Sequence, residues 1–424
     1  MIALIGSFFL AVALGVPISI AIGLSSVIYI LFYGSVSLAV IAQQMTLGID
    51  SFPLLAIPLF LLAGQLMSEA DITSKIVGFA DAMVGRVTGG MAWVMVISCM
   101  FFGAISGSGV ADVTAIGSIM LPAMDGQGYR KGLSASLLGC AGSLGTVIPP
   151  SIVMIILGVT TGTSIGKLYL GGLIPGVFTG ICLMALAWFY AKRMNLPPGE
   201  PFSFRKILRA FQNAFLSLLT PVIIIGGIVA GVFTATEAAA VASAYALVLG
   251  LFVYRTLKVS QLPRIFLQVA ETTGIILFII SAAALFGWIL AAEQIPQLMA
   301  EFFLSITRNY YSLLILINVL LLILGTFMET IAIIIIVVPV LMPLVVSLGM
   351  DPIHFGVMVT VNLAIGANTP PVGVDLIAAC KVSRTTLDES MSYIWPFVGA
   401  MTVALAFITF IPQLVTLVPN YFMK

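Results

Sequence analysis

Residues 142–150 read G-S-L-G-T-V-I-P-P, and residues 366–371 read G-A-N-T-P-P. Each stretch lies inside a long apolar segment, where glycine and two consecutive prolines interrupt a helix. With an offset of 221 residues, Gly145 aligns with Gly366, and Pro149-Pro150 aligns with Pro370-Pro371, without a gap. The chain is therefore predicted to contain two copies of one unit, each with a helix broken at G-x-x-x-P-P.

The repeat extends upstream to a second kind of interruption. Residues 103–109 read G-A-I-S-G-S-G and split the apolar stretch 91–124. At the same offset they fall on residues 324–330, which split the apolar stretch 311–348. Because glycine and serine propagate a helix poorly, each interruption is predicted to be the tip of a re-entrant hairpin. Each half then holds a hairpin, a polar turn and a broken helix, and repeats of this kind are typical of transporters.

The composition excludes most other classes of protein. Of the 424 residues, 61% are hydrophobic and 8% are charged, whereas a soluble domain carries about 25% charged residues. A cytosolic enzyme, a secreted disulfide scaffold, a disordered chain and a nucleic-acid binder are therefore excluded, the last also by the net charge of +1. The length predicts roughly 10–13 membrane-crossing elements.

Metal and catalytic side chains are scarce. The four cysteines are scattered through apolar segments and are expected to be reduced packing residues. The single histidine, His354, is expected to be a solvated loop residue near the surface. One histidine and scattered carboxylates cannot build a histidine-rich metal site or a serine triad, so we predict that the chain is not an enzyme.

The predicted fold is all-α and polytopic, with inverted repeats, two re-entrant hairpins and two broken helices. Residues 1–34 are expected to form one long tilted helix or two short ones, 192–212 a polar surface arm, and 255–268 a basic loop. The chain is divided into N-terminal scaffold spans with an interfacial helix (1–90), transport-domain repeat 1 (91–191), cytoplasmic arm and scaffold spans (192–310), transport-domain repeat 2 (311–390), and a C-terminal span (391–424).

Counting crossings between the two hairpins gives an odd number, so the repeats are predicted to be inverted. In that topology fourteen of the 17 Lys and Arg residues fall on one side. The positive-inside rule assigns that side to the cytoplasm. Residues 1–74 contain no Lys or Arg, so the side of the N-terminus stays open.

Non-helical backbone is tolerated in a membrane only inside protein or beside a wet cavity. Unwound carbonyls and hydroxyl oxygens are hard ligands that suit Na⁺. We expect one cation site between the first hairpin tip and the first break, at Ser106, Gly107, Ser108, Gly145 and Thr146. We expect the other between the second tip and the second break, at Gly325, Thr326, Gly366, Asn368 and Thr369. The plainer alternative is that these glycines and prolines serve only helix kinks and close packing.

Four carboxylates lie inside apolar segments, where ionisable residues are functional candidates. Asp112 and Glu329 follow the two hairpin tips, and the sequence leaves open whether they cap helices or serve the sites. Asp375 follows the second break and is expected either to function there or to cap the next helix. Glu237, in T-A-T-E-A-A-A, is expected to be structural, in the first turn of a helix.

Four motifs together resemble the large membrane subunit of a TRAP (tripartite ATP-independent periplasmic) transporter, in the ion transporter superfamily. They are G-A-I-S-G-S-G-V-A-D-V-T-A-I-G (103–117), G-S-L-G-T-V-I-P-P-S (142–151), G-V-F-T-A-T-E-A-A-A-V (231–241) and G-A-N-T-P-P-V-G (366–373). The resemblance covers essentially the whole chain. It implies an elevator-type, Na⁺-coupled secondary transporter in a bacterial inner membrane, which takes up small organic acids such as sialic acids or C4-dicarboxylates.

The same resemblance implies a small membrane subunit of about four helices and a periplasmic substrate-binding protein as partners. It assigns ion-site roles to Ser106, Ser108, Gly145 and Thr146, and to Gly325, Gly366 and Thr369. Candidates for contact with the substrate are Ser108, Pro149, Pro150, Ser151, Asn368 and Pro370. The alternatives kept open are a stand-alone ion-coupled anion transporter of the same superfamily, a passive channel and an intramembrane hydrolase.

Overall fold

A computed structural model describes residues 2–33, 36–197 and 203–423, and all regular structure in these ranges is helical. Up to Glu69 the described residues contain four α-helices, and a 3₁₀ turn at Phe52–Leu55 precedes the fourth. Gly15 and Pro17 separate the first two, so the two-helix alternative for residues 1–34 is confirmed over the part that is described. The third helix is a short one that the sequence did not predict. The helices are α1 (Ile2–Ala13), α2 (Ile18–Tyr33), α3 (Ala39–Ile49) and α4 (Ala56–Glu69).

An amphipathic helix and the first repeat follow. A 3₁₀ turn at Ser143–Thr146 continues α8 to the first Pro-Pro pair, and the Pro149–Pro150 peptide bond is cis. The predicted hairpin and broken helix are both present. The helices are α5 (Ile72–Val84), α6 (Gly90–Ser106), α7 (Gly109–Gly126), α8 (Lys131–Gly142), α9 (Ile152–Thr161) and α10 (Ile165–Arg193).

The middle of the chain is more helical than expected. The second half of the predicted arm is the start of a continuous membrane helix, and Lys206 Nζ lies 3.1 Å from Asp81 of α5. Residues 198–202 of the arm lie outside the described residues. Part of the expected basic loop 255–268 is also helical from Val259 onward. The helices are α11 (Phe204–Val229), α12 (Ala235–Val248), α13 (Leu262–Ala292) and α14 (Ile295–Ile306).

The second repeat and the C-terminus complete the fold. The second arm of its hairpin bends by 54° at Val337, and the predicted last span is divided at Ile411–Pro412. The Pro370–Pro371 bond is cis. The helices are α15 (Tyr310–Gly325), α16 (Thr330–Ile336), α17 (Val338–Ser347), α18 (Pro352–Gly366), α19 (Val374–Ser383), α20 (Leu387–Phe410) and α21 (Gln413–Phe422).

The repeat is visible in the order of the helices. Shifted by 221 residues, α6 and α7 fall on α15 and on the bent pair α16–α17, α8 falls on α18, α9 on α19, and α10 on α20. The amphipathic helix α5 falls on α14, which is also amphipathic. The fold predicted from the two broken segments is thus confirmed.

Within the described ranges, six helices are long and apolar enough to cross a membrane, or seven if the bent pair α16–α17 is one span. Eight further apolar helices have 10–17 residues. The prediction of 10–13 crossing elements did not separate full spans from these shorter helices. Hairpin arms and broken helices supply many of them, because each covers only part of the roughly 30 Å hydrocarbon thickness.

The helices of the two repeats interlock. Helices α7 and α8 pack on each other and on α19 of the second repeat, and α20 also packs on α8. Helix α13 packs against α2, α3 and α4, and α4 packs against α12. The first group contains the hairpin and break segments, whereas the second consists of flanking spans.

His354 is not a solvated loop residue as expected. It lies in the first turn of α18, is only 1% exposed, and its Nε2 lies 2.8 Å from the carbonyl oxygen of Ile408. A carbonyl oxygen can only accept, so Nε2 carries the proton. The helical donor for Ile408 would be the N–H of residue 412, which is proline and has none. His354 therefore satisfies a carbonyl that the end of α20 leaves free.

The structural assignment of Glu237 is confirmed. Its carboxylate accepts a hydrogen bond from the Thr234 backbone N–H at 2.8 Å, and the Thr234 hydroxyl accepts one from the Glu237 backbone N–H at 3.3 Å. This reciprocal pair is a capping box at the start of α12.

Candidate cation sites at the hairpin tips

The first hairpin turns at Gly107, whose φ of +64° lies in the left-handed region that favours glycine. A Cβ on Gly107 would also lie 2.8 Å from the carbonyl oxygen of Pro150. Ile152, just past the prolines, donates its N–H to the Gly107 carbonyl at 3.2 Å. The tip and the first break, predicted to form one site, are therefore in direct contact.

Behind the tip, Gly103 of α6 packs against Gly145 of the 3₁₀ turn. A Cβ on Gly103 would lie 2.6 Å from the Gly145 Cα and 2.7 Å from Asp112 Oδ2. A Cβ on Gly145 would lie 2.2 Å from the same Asp112 oxygen. The two glycines therefore leave room for the Asp112 carboxylate beside the break.

Asp112 is fully buried, and its two oxygens differ. The Ser106 hydroxyl donates a short hydrogen bond to Oδ1, and the Ser108 N–H donates to the Ser106 oxygen at 3.2 Å. Oδ2 has no hydrogen-bond partner, and no Lys or Arg of the described chain forms an ion pair with Asp112. Asp112 thus makes no cap hydrogen bond for α7, and the first site holds a buried carboxylate oxygen that nothing in the described protein compensates.

The prolines of the first break remove helical donors. The N–H groups that would bond the carbonyls of Gly145 and Thr146 in a continuous helix belong to Pro149 and Pro150, which have none. The Thr146 hydroxyl donates to the Ser143 carbonyl at 2.7 Å. The Thr146 carbonyl accepts a hydrogen bond from the Ser151 hydroxyl. A hydroxyl oxygen that donates its proton keeps lone pairs for a cation.

The second tip repeats this arrangement. A Cβ on Gly366 would lie 2.7 Å from the Gly325 Cα, so the two backbones are in contact. The Val372 N–H, just past the second Pro-Pro pair, donates to the Thr326 carbonyl at 3.2 Å. Glu329 begins α16 but makes no side-chain cap hydrogen bond. The capping alternative is therefore not observed for Glu329.

Polar side chains of the second tip and of the second break are each positioned by their own helix. The Thr369 and Thr326 hydroxyls donate to the carbonyls of Ile365 and Ile323, at 2.8 and 2.7 Å. The Asn368 amide donates to the Ala364 carbonyl at 2.9 Å, while its Oδ1 is buried and has no partner. That oxygen lies 2.7 Å from where a Cβ of Gly139 would be. Asn368 therefore directs its oxygen at α8, in the first repeat.

Asp375 breaks the symmetry between the sites. It is 3% exposed, and its carboxylate lies against Gly109 in the first turn of α7. A Cβ on Gly109 would lie 2.6 Å from Asp375 Oδ2. At the 221-residue offset, Asp112 corresponds to Ile333 and Asp375 to Met154. Both buried acids therefore lie against the first repeat's hairpin, and the second site has no equivalent pair.

The residues predicted to contact the substrate differ in whether their polar atoms already make hydrogen bonds within the protein. The Ser108 hydroxyl is half-buried and makes no hydrogen bond within the described part of the chain. The Ser151 hydroxyl caps α9 by accepting from the Met154 N–H at 3.2 Å. Pro149 and Pro150 are buried, and Pro370 is half-buried. Ser108 and Asn368 thus have free polar atoms, whereas Ser151 is already used by the fold.

Comparison with known proteins decides the family. A family model described as "Tripartite ATP-independent periplasmic transporter, DctM component" matches residues 5–414. The chain belongs to this family. The resemblance drawn from the four motifs is confirmed, and members of the family are transport proteins, so the prediction that the chain is not an enzyme is also confirmed.

Relatives of this family differ in their named substrates. The chain is 39% identical over 409 residues to the sialic acid TRAP transporter large permease protein SiaM of Vibrio cholerae. The aligned region covers 96% of each chain. The chain is 38% identical over 420 residues to the C4-dicarboxylate permease DctM of Rhodobacter capsulatus, again 96% of each. It is 41% identical to the isethionate permease DctMQ of Oleidesulfovibrio alaskensis, of whose length it spans 65%.

A solved structure agrees with the fold. The YdaH transporter of Alcanivorax borkumensis superposes with a TM-score of 0.57 at 16% identity, over 89% of this chain and 90% of that one. At this identity the likeness concerns the fold alone. Together with the apolar helices, family membership makes this chain a multi-pass membrane protein of a TRAP transporter.

Proposed function

We propose that this chain is the large transmembrane subunit of a Na⁺-coupled, binding-protein-dependent transporter. It imports a small organic acid across a bacterial inner membrane by an elevator mechanism. The observation that carries the proposal is the buried, unpartnered Asp112 Oδ2 beside the Gly103–Gly145 contact. A buried carboxylate oxygen without a partner is unfavourable, and a bound cation removes that penalty.

The residues fit Na⁺ by their chemistry. The first site offers a carboxylate, two serine oxygens and the backbone of the 3₁₀ turn, all hard oxygen donors. The second site offers the hydroxyls of Thr326 and Thr369 and the backbone around Gly325 and Gly366. Within the described ranges no group of three His, Cys, Asp or Glu could hold a metal ion, so the donor sets favour a monovalent ion over a transition metal.

The breaks also offer a place for an organic anion. Cations at the two sites would offset the buried carboxylates Asp112 and Asp375, and the half-helices α9 and α19 begin just past the breaks. Helix N-termini attract carboxylates. The Ser108 hydroxyl and the Asn368 amide would then orient the substrate. Sialic acids and C4-dicarboxylates, which the relatives' names specify, are the substrate classes we propose.

The elevator requires two bodies. We assign residues 91–191 and 311–390 to the moving domain, and residues 1–90, 192–310 and 391–424 to the scaffold and the C-terminal span. A cavity of about 480 Å³ is lined by α9, α16 and α17 on one side and by α3 and α13 on the other, and beside it α13 packs on α16. Its lining is mainly apolar, so sliding there breaks few polar contacts.

We propose a small membrane subunit of about four helices and a periplasmic binding protein as the partners. The test is uptake into proteoliposomes by the full chain with a co-encoded small subunit and binding protein. Uptake should saturate with substrate and require an inward Na⁺ gradient. Replacing Asn368 and Thr369 by alanine should weaken the Na⁺ dependence of uptake. An unchanged Na⁺ dependence in that double variant would contradict the second site.

The same assay separates the alternatives. A passive channel would carry ions without substrate, whereas a transporter couples the two. Uptake by the chain without a binding protein would favour the stand-alone ion-coupled anion transporter.

A further inference from the structure

Another cavity, with a polar lining, lies away from the hairpin tips. It is found where α7 ends, α8 begins and α19 ends. Its volume is about 530 Å³. This volume is within the range of small-ligand sites, about 300–1,000 Å³. The cavity lies at the membrane side that the Lys and Arg distribution assigns to the cytoplasm.

The cavity is lined by two cations without anionic partners. Lys131, at the start of α8, and Arg384, just after α19, both line it. In the described chain neither forms an ion pair or a side-chain hydrogen bond. Asp125 also lines the cavity, so the three charges leave it with one net positive charge.

The unpartnered hydroxyl of a largely buried serine supplies an independent sign of a missing ligand. Ser134 lines the cavity, is only 4% exposed, and its hydroxyl has no hydrogen-bond partner among the described residues. The other two lining serines, Ser118 and Ser383, donate to backbone carbonyls of their own helices at 2.8 and 3.1 Å. Of the three lining serines, Ser134 alone therefore keeps its proton free for a ligand.

The remaining polar side chain of the cavity does not alter its charge. The Tyr129 ring is part of the lining, and burial raises the pKa of its phenol to about 12. It stays neutral at physiological pH. The donors facing the cavity are thus an ammonium, a guanidinium and one hydroxyl, a set that matches the oxygens of a carboxylate or phosphate.

We propose that this cavity is a binding site for a small soluble oxyanion, a carboxylate or a phosphate, separate from the transport site. The bound anion would bridge the start of α8 to the end of α19. These helices also carry Gly139 and Asp375 beside the transport site. A bound anion would therefore hold the two repeats together at the ends of these helices that lie away from the hairpin tips.

The test is binding of inorganic phosphate to the purified full chain in detergent, at constant ionic strength with chloride as the control anion. We expect phosphate to raise the unfolding temperature of the wild type and chloride not to. Lys131→Gln and Arg384→Gln should each weaken phosphate binding about tenfold, because each removes one charged donor. Ser134→Ala should weaken it as well, and Asp125→Asn should tighten it severalfold by removing a like charge.

Lys381→Gln is the matched control. Lys381 is an exposed cation of α19 that does not line the cavity, so this variant loses the same charge and should bind phosphate as the wild type does. If Lys131→Gln, Arg384→Gln and Lys381→Gln all bind phosphate alike, only general screening acts and the proposal is wrong. It is also wrong if phosphate gives the wild type no stabilisation.

The source of the oxyanion is tested in nanodiscs. Phosphate should bind equally well in neutral and in phosphatidylglycerol nanodiscs if the site takes a soluble anion. If phosphatidylglycerol instead abolishes phosphate binding, and Lys131→Gln removes that competition, a lipid headgroup fills the site and the soluble occupant is wrong. None of these measurements depends on Na⁺ or uptake, so they stand apart from the transport proposal.

Discussion

Gly366, the 221-residue counterpart of Gly145, is in backbone contact with Gly325: a Cβ on Gly366 would lie 2.7 Å from the Gly325 Cα. The obstructing atoms belong to the main chain of the second hairpin, which cannot rotate aside as a side chain can. The contact thus fixes the distance between the hairpin tip and the broken helix. In the first repeat Gly103 meets the Gly145 backbone in the same way, and these two glycines also leave room for the Asp112 carboxylate.

Gly366→Ala should therefore separate the second tip from its break. We expect a loss of about 1–3 kcal/mol in the free energy of unfolding, the usual range for overpacking, and loss of Na⁺-dependent uptake. The unfolding temperature in detergent and uptake into proteoliposomes measure the two effects. Gly399→Ala is the control, since Gly399 is a helical glycine of α20 with nothing within 4 Å of its Cβ position. Equal behaviour of the two variants would contradict a role for the contact.

Asp112→Asn should remove the charge of the first site and keep its shape. Because the buried Oδ2 has no compensating cation in the described protein, we expect the affinity for Na⁺ to fall at least about tenfold, the effect of one charged ligand. Stabilisation by Na⁺ against thermal unfolding measures this affinity without any need for substrate. Glu237→Gln is the control, because Glu237 only caps α12. A wild-type Na⁺ response of Asp112→Asn would exclude Asp112 from the site.

Much of this architecture could be predicted because glycine and proline act locally. Pro149-Pro150 and Pro370-Pro371 cannot donate the hydrogen bonds of a helix, so the breaks occur wherever these pairs occur. The hairpin tip at Gly107 needs a residue that adopts a left-handed backbone conformation. The cluster of glycine and serine residues there indicates the position of the tip. The offset of 221 residues then made two local predictions support each other.

The missed features depend on contacts that are distant in sequence. Nothing near His354 indicates that a carbonyl 54 residues later needs a donor. The roles of Asp112 and Asp375 stayed open for the same reason, since Gly145 and Gly109 meet them only in the folded chain. The bend at Val337 does have a local signal, because Pro339 two residues later cannot continue the hydrogen bonding of α16.

His354→Leu should lower stability without affecting coupling. It leaves the Ile408 carbonyl buried with no donor, since residue 412 is proline, and an unsatisfied buried polar group costs about 1–3 kcal/mol. Thermal unfolding should show this loss, while the Na⁺ dependence of uptake by the folded fraction stays that of the wild type. His354→Gln, which keeps a donor, should recover part of the stability. An altered Na⁺ dependence in His354→Leu would mean that the histidine takes part in transport.

Gly287→Phe tests whether the two proposed bodies slide. Gly287 lies on α13, lines the cavity of about 480 Å³ between scaffold and moving domain, and has nothing within 4 Å of its Cβ position. A phenyl ring there should project into the cavity and obstruct the movement of α9, α16 and α17. We expect uptake to be lost while Na⁺ still stabilises the protein, because the ion sites lie on the moving domain itself.

Gly274→Phe supplies the matched control for this variant. Gly274 lies on the same helix, its Cβ position is equally open, and it does not line the cavity. Uptake by Gly274→Phe should therefore match the wild type, with both variants compared at equal amounts of folded protein. If Gly287→Phe transports as well as Gly274→Phe, the cavity does not lie between domains that move relative to each other. A phenyl ring in the cavity would obstruct such a movement.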